Sequence, residues 1–202
     1  MKEFKILLDN GHGKNTAGKR SPDGRLREYA WTRKAVRGIV ARLTAAGYDA
    51  EAIVPEEGDI SLGQRVARVN RWCDQMGAKR VLLVSVHNNA AGAGGWMNAR
   101  GWEAWTSPGQ TGGDALADCM YQAAGKCLPQ GTKIRTDFAD GDADKEARFT
   151  VLTQSKCPAV LTENLFQDNR QDVEYLLSDE GLEAIVDLHV TGIEEYIKRM
   201  NR

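Results

Sequence analysis

Histidine, cysteine and proline are scarce in this chain of 202 residues, which has three His, four Cys and five Pro. No two of Cys73, Cys119, Cys127 and Cys157 stand in C-x-x-C spacing, which excludes a zinc knuckle and a thioredoxin-type redox motif. Cys73, Cys119 and Cys127 fall on apolar positions of helical patterns, where buried free thiols are expected. No apolar run approaches the roughly 20 residues that a membrane-spanning helix needs. The run around Ile6-Leu7-Leu8 is too short for the core of a secretory signal. The chain is therefore expected to be made and folded in the cytoplasm. An excess of charge is missing too: 27 Lys+Arg against 28 Asp+Glu leave a net charge of -1. That balance argues against a dedicated nucleic-acid binder. The 42% hydrophobic and 27% charged fractions exclude collagen-like, coiled-coil and broadly disordered chains. At this length one domain, 1–202, can bury a core without staples.

What is present is an alternation of short apolar runs and helical periodicity. Lys5–Asp9, Tyr48–Val54, Val81–Val86, Gly101–Thr106, Phe149–Leu152 and Ala159–Glu163 read as strands. Val81–Val86 is apolar almost throughout, as expected of a parallel strand covered on both faces. Helical faces are marked by Ala30 to Leu43, by Leu62 to Met76, by Leu116 to Cys127, by Asp172 to Leu177 and by Leu182 to Ile197. Gly47 and Gly77 stop the first two helices. The polar, acidic Gly131–Arg148 reads as an exposed loop. Together these predict a three-layer α/β fold, a twisted, mostly parallel sheet flanked by helices on both faces.

Three strands run into groups that chemistry can use: Asp9-Asn10-Gly11-His12-Gly13, His87-Asn88-Asn89 and Glu163-Asn164. In open α/β sheets the active site lies beyond the carboxyl ends of the strands, so His12, His87 and Glu163 are expected in one crevice. Two His, a carboxylate and one open position suit a catalytic zinc ion. Glu28, which opens the first helix, is the candidate third ligand, against the alternative of an acid complementing the helix dipole. His189 lies in register with Ile185, Val186 and Ile193, so it is expected to pack in a helix face. Gly11-His12-Gly13-Lys14 lacks the spacing of a phosphate-binding loop. Lys14, Lys19, Arg20, Arg25 and Arg27 form a basic loop cluster, either a solvated surface or an attractor of anionic substrate. Trp96, Trp102 and Trp105 are either core contributions or a sugar or peptide platform.

Taken in order, these segments resemble the zinc-dependent N-acetylmuramoyl-L-alanine amidases of the amidase-3 type, which are cell-wall hydrolases. The matching pieces are Asp9-Asn10-Gly11-His12-Gly13, then Glu28, then Leu62, Arg65 and Asn70 on one helix. Ser85-Val86-His87-Asn88-Asn89 follows, and Pro158-Ala159-Val160-Leu161-Thr162-Glu163 with Phe166 and Asn169 completes the set. The resemblance covers nearly the whole chain. It implies that His12, Glu28 and His87 bind Zn²⁺ and that Glu163 is the catalytic carboxylate. The implied substrate is peptidoglycan, cut between the lactyl group of N-acetylmuramic acid and the L-alanine of the stem peptide. The implied protein is a monomeric endolysin or autolysin that reaches the wall after release or export. Two departures stand out: Asn10 replaces the usual Pro, and Asn164-Leu165-Phe166 replaces x-Gly-Phe. The lost Gly is expected to reshape the floor of the groove.

Zinc would polarise the carbonyl and acidify a water, and Glu163 would move the proton to the departing nitrogen. Asp9, Asn88 and Asn89 are candidates to orient the imidazoles. Two alternatives remain, a zinc peptidase on a related scaffold and a non-catalytic peptidoglycan-binding relative. The presence of all four residues argues against the second.

Overall fold

The apolar runs become the strands of one six-stranded sheet in the computed structural model, which describes residues 4–202. In chain order the strands are β1 (Lys5–Asn10), β2 (Asp49–Ala52), β3 (Val81–Asn89), β4 (Glu103–Thr106), β5 (Lys145–Glu146) and β6 (Ala159–Phe166). They lie side by side as β2-β1-β3-β6-β4-β5. β2, β1, β3 and β6 are mutually parallel, while β4 runs antiparallel to β6.

The helices are α1 (Glu28–Ala45), α2 (Leu62–Met76), α3 (Gly112–Cys127), α4 (Thr150–Thr153), α5 (Arg170–Leu177) and α6 (Asp179–Met200). Side chains alternate across a strand, so the sheet sorts its residues into two cores. Ile6, Leu8, Leu82 and Val84 point into one core with Ile39 of α1, Met120 of α3 and Ile193 of α6. Leu7, Val81, Leu83 and Leu161 point into the other, against Val69 and Cys73 of α2 and Val151 of α4. Two covered faces explain why β1 and β3 read as near-continuous apolar runs rather than alternating ones. The expected three-layer architecture is present.

Local signals place the helix ends. Ser61 Oγ accepts from Gln64 N while Gln64 Oε1 accepts from Ser61 N, a reciprocal cap that starts α2. Gly77, at φ 88°, ends it. The four cysteines are free, with Cys73, Cys119 and Cys157 buried and Cys127 half-buried.

Phe149–Leu152 is not a strand. Thr150–Thr153 forms the short helix α4, and Val151 and Leu152 turn into the α2-side core. Both edges of β6, the strand that follows it, are already occupied by β3 and β4, so this β-prone segment cannot pair there. The 131–148 segment is not simply exposed either. Ile134 bridges to Trp102, Lys145–Glu146 add β5, and Asp144 is buried where Thr106 Oγ1 donates to its Oδ2 at 2.5 Å. The second strand is shorter than expected, limited to Asp49–Ala52.

Candidate metal and catalytic site

β1 and β3 are neighbours, and their carboxyl ends open onto a cleft of about 500 Å³ that His12, His87 and Glu163 line together. His12 follows β1 in the tight Gly11-His12-Gly13 turn. A Cβ on Gly11 would lie 2.4 Å from His87 Cε1, and one on Gly13 would lie 2.0 Å from Asp59 N. Glycine is therefore required at both positions by close approach. His12 itself sits at φ 61°, a left-handed conformation that costs a non-glycine residue about 1–2 kcal/mol. Two arginines hold it there: Arg33 Nη1 donates to His12 O at 3.0 Å and Arg65 Nη2 at 3.4 Å. Arg65 is buried and also donates to Asp9 Oδ1, Asn10 O and Asp59 Oδ1, pinning the whole turn to α2.

Glu28 is the first residue of α1 and is 1% exposed. Its Oε1 lies 3.3 Å from His12 Nε2 and 3.1 Å from His87 Nδ1, and it accepts from Asn88 N at 3.0 Å. Its Oε2 accepts from Gln167 Nε2 at 3.0 Å. Burial pushes this carboxyl up, but the two imidazoles outweigh it and hold Glu28 well below the usual carboxylate range. Burial likewise opposes charge on His87, and Glu28 reverses that and raises it. The rings of His12 and His87 meet edge to face with centroids 4.9 Å apart.

One ligand atom from each of His12, Glu28 and His87 lies within 4.8 Å of the others. A tetrahedral zinc with bonds of about 2.0–2.1 Å separates adjacent ligand atoms by roughly 3.3–3.4 Å. The carboxylate-to-imidazole spacings of 3.1 and 3.3 Å are close to that edge, so the donor set fits a divalent metal with two nitrogens and one oxygen. The macrodipole alone does not account for Glu28, whose carboxylate faces the two rings rather than its own helix end.

Glu163 pairs in register with His87 across the β3–β6 ladder. Its Oε2 is buried and has no hydrogen-bond partner. Burial, with the Glu28 and Glu103 charges adding to it, pushes this carboxyl up to about 8, although His87 pulls the other way. Immediately after it the ladder slips: His87 pairs with Glu163 but Asn89 pairs with Phe166, so β6 carries one extra residue. Leu165 occupies this bulge at φ 63° and is 2% exposed. The position that lacks its usual Gly thus keeps a left-handed backbone, with a leucine side chain in the core rather than in the groove. Asn164 ties the bulge together, donating to His87 O at 3.0 Å and accepting from Trp102 Nε1 at 3.0 Å.

Other expectations sort differently. None of Asp9, Asn88 and Asn89 hydrogen-bonds an imidazole through its side chain. Asp9 accepts from Arg65 and from Ser85 Oγ, Asn88 donates to Asn164 O, and Asn89 donates to Glu103. Asn88 directly follows His87 on β3, and successive residues of a strand face opposite ways, while the side chains of Asp9 and Asn89 are taken up by Arg65, Ser85 and Glu103. The support for Glu28 comes instead from Gln167, beyond the end of β6, and from the Asn88 backbone. No sequence signal marks Gln167. His189 is fully buried, as its periodicity requires. Its Nδ1 donates to Ile185 O at 2.7 Å and its Nε2 accepts from Thr162 Oγ1 at 2.9 Å. Burial holds it neutral, with a pKa down at about 4. The tryptophans do not form a platform: Trp102 is in the core, Trp105 packs on Phe149, and Arg170 covers Trp96. Within the basic loop, Lys14 pairs with Glu57 and Arg25 with Asp23 and Glu174, a solvated surface. Lys19 alone among the five lines the cleft.

A family model described as N-acetylmuramoyl-L-alanine amidase matches residues 6–195. The chain is 29% identical over 196 residues to an endolysin of Bacillus phage SPP1, covering 95% of this chain and 65% of that protein. It is 31% identical over 193 residues to the N-acetylmuramoyl-L-alanine amidase CwlM of Bacillus licheniformis, covering 94% and 67%. It therefore spans about two thirds of the length of these relatives. The catalytic domain of CwlV, an N-acetylmuramoyl-L-alanine amidase from Bacillus (Paenibacillus) polymyxa var. colistinus, shares the fold at a TM-score of 0.79. That match covers 96% of this chain and 98% of the CwlV domain, at 19% identity.

Proposed function

Because the chain belongs to the N-acetylmuramoyl-L-alanine amidase family, we propose that it hydrolyses the amide between the lactyl group of N-acetylmuramic acid and the L-alanine of the peptidoglycan stem peptide. His12, Glu28 and His87 would hold one Zn²⁺, and residues 1–202 would act as one monomeric catalytic domain. One observation carries this: Glu28 Oε1 lies between His12 Nε2 and His87 Nδ1, with the unpartnered Oε2 of Glu163 on the adjacent strand position.

When bound, zinc supplies Lewis acidity toward the scissile carbonyl and acidifies water. The protein's own groups do the rest. Glu163 takes a proton from the attacking water and passes it to the amide nitrogen, which leaves as the amine of L-alanine. An amide nitrogen is a poor leaving group until protonated, so one carboxyl serves both transfers. The low-dielectric setting that lifts Glu163 to about 8 without metal suits the donating step. A divalent cation beside it favours the carboxylate, the form that accepts the first proton. Arg33 and Arg65 keep His12 in its left-handed conformation, and Gln167 and the Asn88 N–H keep Glu28 turned toward the rings.

No helix among the described residues is long and apolar enough to cross a membrane. The substrate would be met at the cell wall, after release or export. A zinc peptidase on a related scaffold would share the ligand set, and the products separate the two. Purified protein should release intact stem peptide from cell wall, lose activity on chelation and regain it with zinc. The Glu163→Gln variant should bind one zinc yet lose about 10²–10⁴-fold of the rate. Near-normal turnover by Glu163→Gln, or cleavage between stem amino acids instead, would sink the proposal.

A further inference from the structure

The charges around the cleft are unevenly matched. Asp9 and Asp59 on its wall are both engaged by Arg65. Two cations of the same cleft, Lys19 and Arg148, are exposed and form no ion pair with any described residue. They come from different places in the chain: Lys19 from the loop that hydrogen-bonds the start of α1, and Arg148 from the segment just ahead of α4. Lys19 is near enough to Glu163 for its charge to favour that carboxylate. Beside them, Leu62 and Phe149 line the cleft while 52% and 38% exposed, among the few large apolar side chains left open to solvent. In the rest of the basic loop Lys14 and Arg25 are spent on surface ion pairs and Arg20 and Arg27 do not line the cleft, and a net charge of -1 provides no bulk attraction for anions.

Unpaired cations above an apolar wall, in the same cleft as the reacting groups, match a short peptide carrying a carboxylate. We propose that Lys19 and Arg148 form a carboxylate-recognition subsite that selects stem peptides with a free acid following the L-alanine over the same peptides with that acid amidated. Leu62 and Phe149 support the peptide's apolar atoms while the two cations meet its carboxylate. This rests on the amidase function proposed above. A guanidinium and an ammonium in a partly desolvated cleft distinguish carboxylate from amide because the amide carries no charge and presents an N–H₂ donor to groups that can only donate.

Two synthetic substrates test it: N-acetylmuramoyl-L-alanyl-D-glutamate and its D-isoglutamine counterpart, assayed with the zinc-loaded full chain. The ratio of their kcat/KM values is expected to favour the acid on the order of tenfold at low salt and to shrink as salt rises. Lys19→Gln and Arg148→Gln should each lower that ratio several-fold, through KM rather than kcat, and the double variant should bring it near one. Both side chains are exposed, so the variants fold. A wild-type ratio near one, or a ratio unchanged in the double variant, overturns the subsite. If the wild type cleaves neither compound, it is the amidase function that fails. Calorimetric binding of the same two compounds then decides the subsite by itself, with equal affinities overturning it.

Discussion

Gln167→Met removes the hydrogen bond to Glu28 Oε2 at 3.0 Å and a longer one to Asn88 O at 3.5 Å, with almost no change of volume, and its consequence can be worked from the geometry. Gln167 is 1% exposed, and its Nε2 is the only described donor to Glu28 Oε2. Without metal, Glu28 is free to redistribute its two oxygens between the imidazoles. With Oε1 committed to a metal, Oε2 must face the position that Gln167 occupied, now a thioether that cannot donate. A buried carboxylate oxygen left without its partner costs roughly 1–3 kcal/mol. At about 1.4 kcal/mol per tenfold, that corresponds to roughly 5- to 150-fold in zinc affinity. Losses of about 10–100-fold are usual when a group orienting a metal ligand is removed. Competition against a chromophoric chelator measures the affinity, and thermal unfolding of the metal-free proteins controls for general destabilisation. Zinc affinity within about twofold of wild type, in a protein whose metal-free stability is unchanged, would refute the role assigned to Gln167.

Two further outcomes concern stability. His189 is held at about 4 by burial, below its ordinary 6.5, so the folded protein resists the proton that the unfolded chain accepts. Its contribution is complete above about pH 6.5 and is lost as pH falls toward 4, by about 3 kcal/mol in all. Urea unfolding across that range should show the slope in wild type and a shallower one in His189→Gln; equal slopes would exclude His189 as its source. Leu165→Gly relieves a left-handed leucine, worth about 1–2 kcal/mol, but empties a core position worth about 2–5 kcal/mol. A net destabilisation of about 1–3 kcal/mol is expected in the same assay, and a stabilised variant would mean that strain outweighs packing at the bulge.

The strands that carry the site were legible because burial on both faces leaves a one-dimensional trace. Val81–Val86 had to be a central strand, and a polar group placed right after such a run had to emerge at the sheet's edge. His12, His87 and Glu163 were found that way. His189 was assigned to packing by the same periodicity, and it is buried. Phe149–Leu152 misled because β-propensity records how well a residue fits a pleated surface, not whether a strand edge is vacant beside it. Asp9, Asn88 and Asn89 misled because closeness along a strand is not closeness of side chains.

By itself, then, the sequence determined the alternation of layers, the helix stop at Gly77, and the residue types offered at the strand termini. These follow from local periodicity and backbone preference, which act over a few residues. Glu28 was the candidate carboxylate in the sequence, but only the tertiary structure decided between the imidazoles and the helix dipole as its partner, and it brings Glu28 Oε1 to 3.1 Å from a ring 59 positions away. It also decided that Gln167 would hold that carboxylate from 139 positions away, and that a leucine could stand in the left-handed bulge because its side chain has a core to enter. Distances between atoms so far apart in the chain are products of the whole packed sheet, and no short window of residues encodes them.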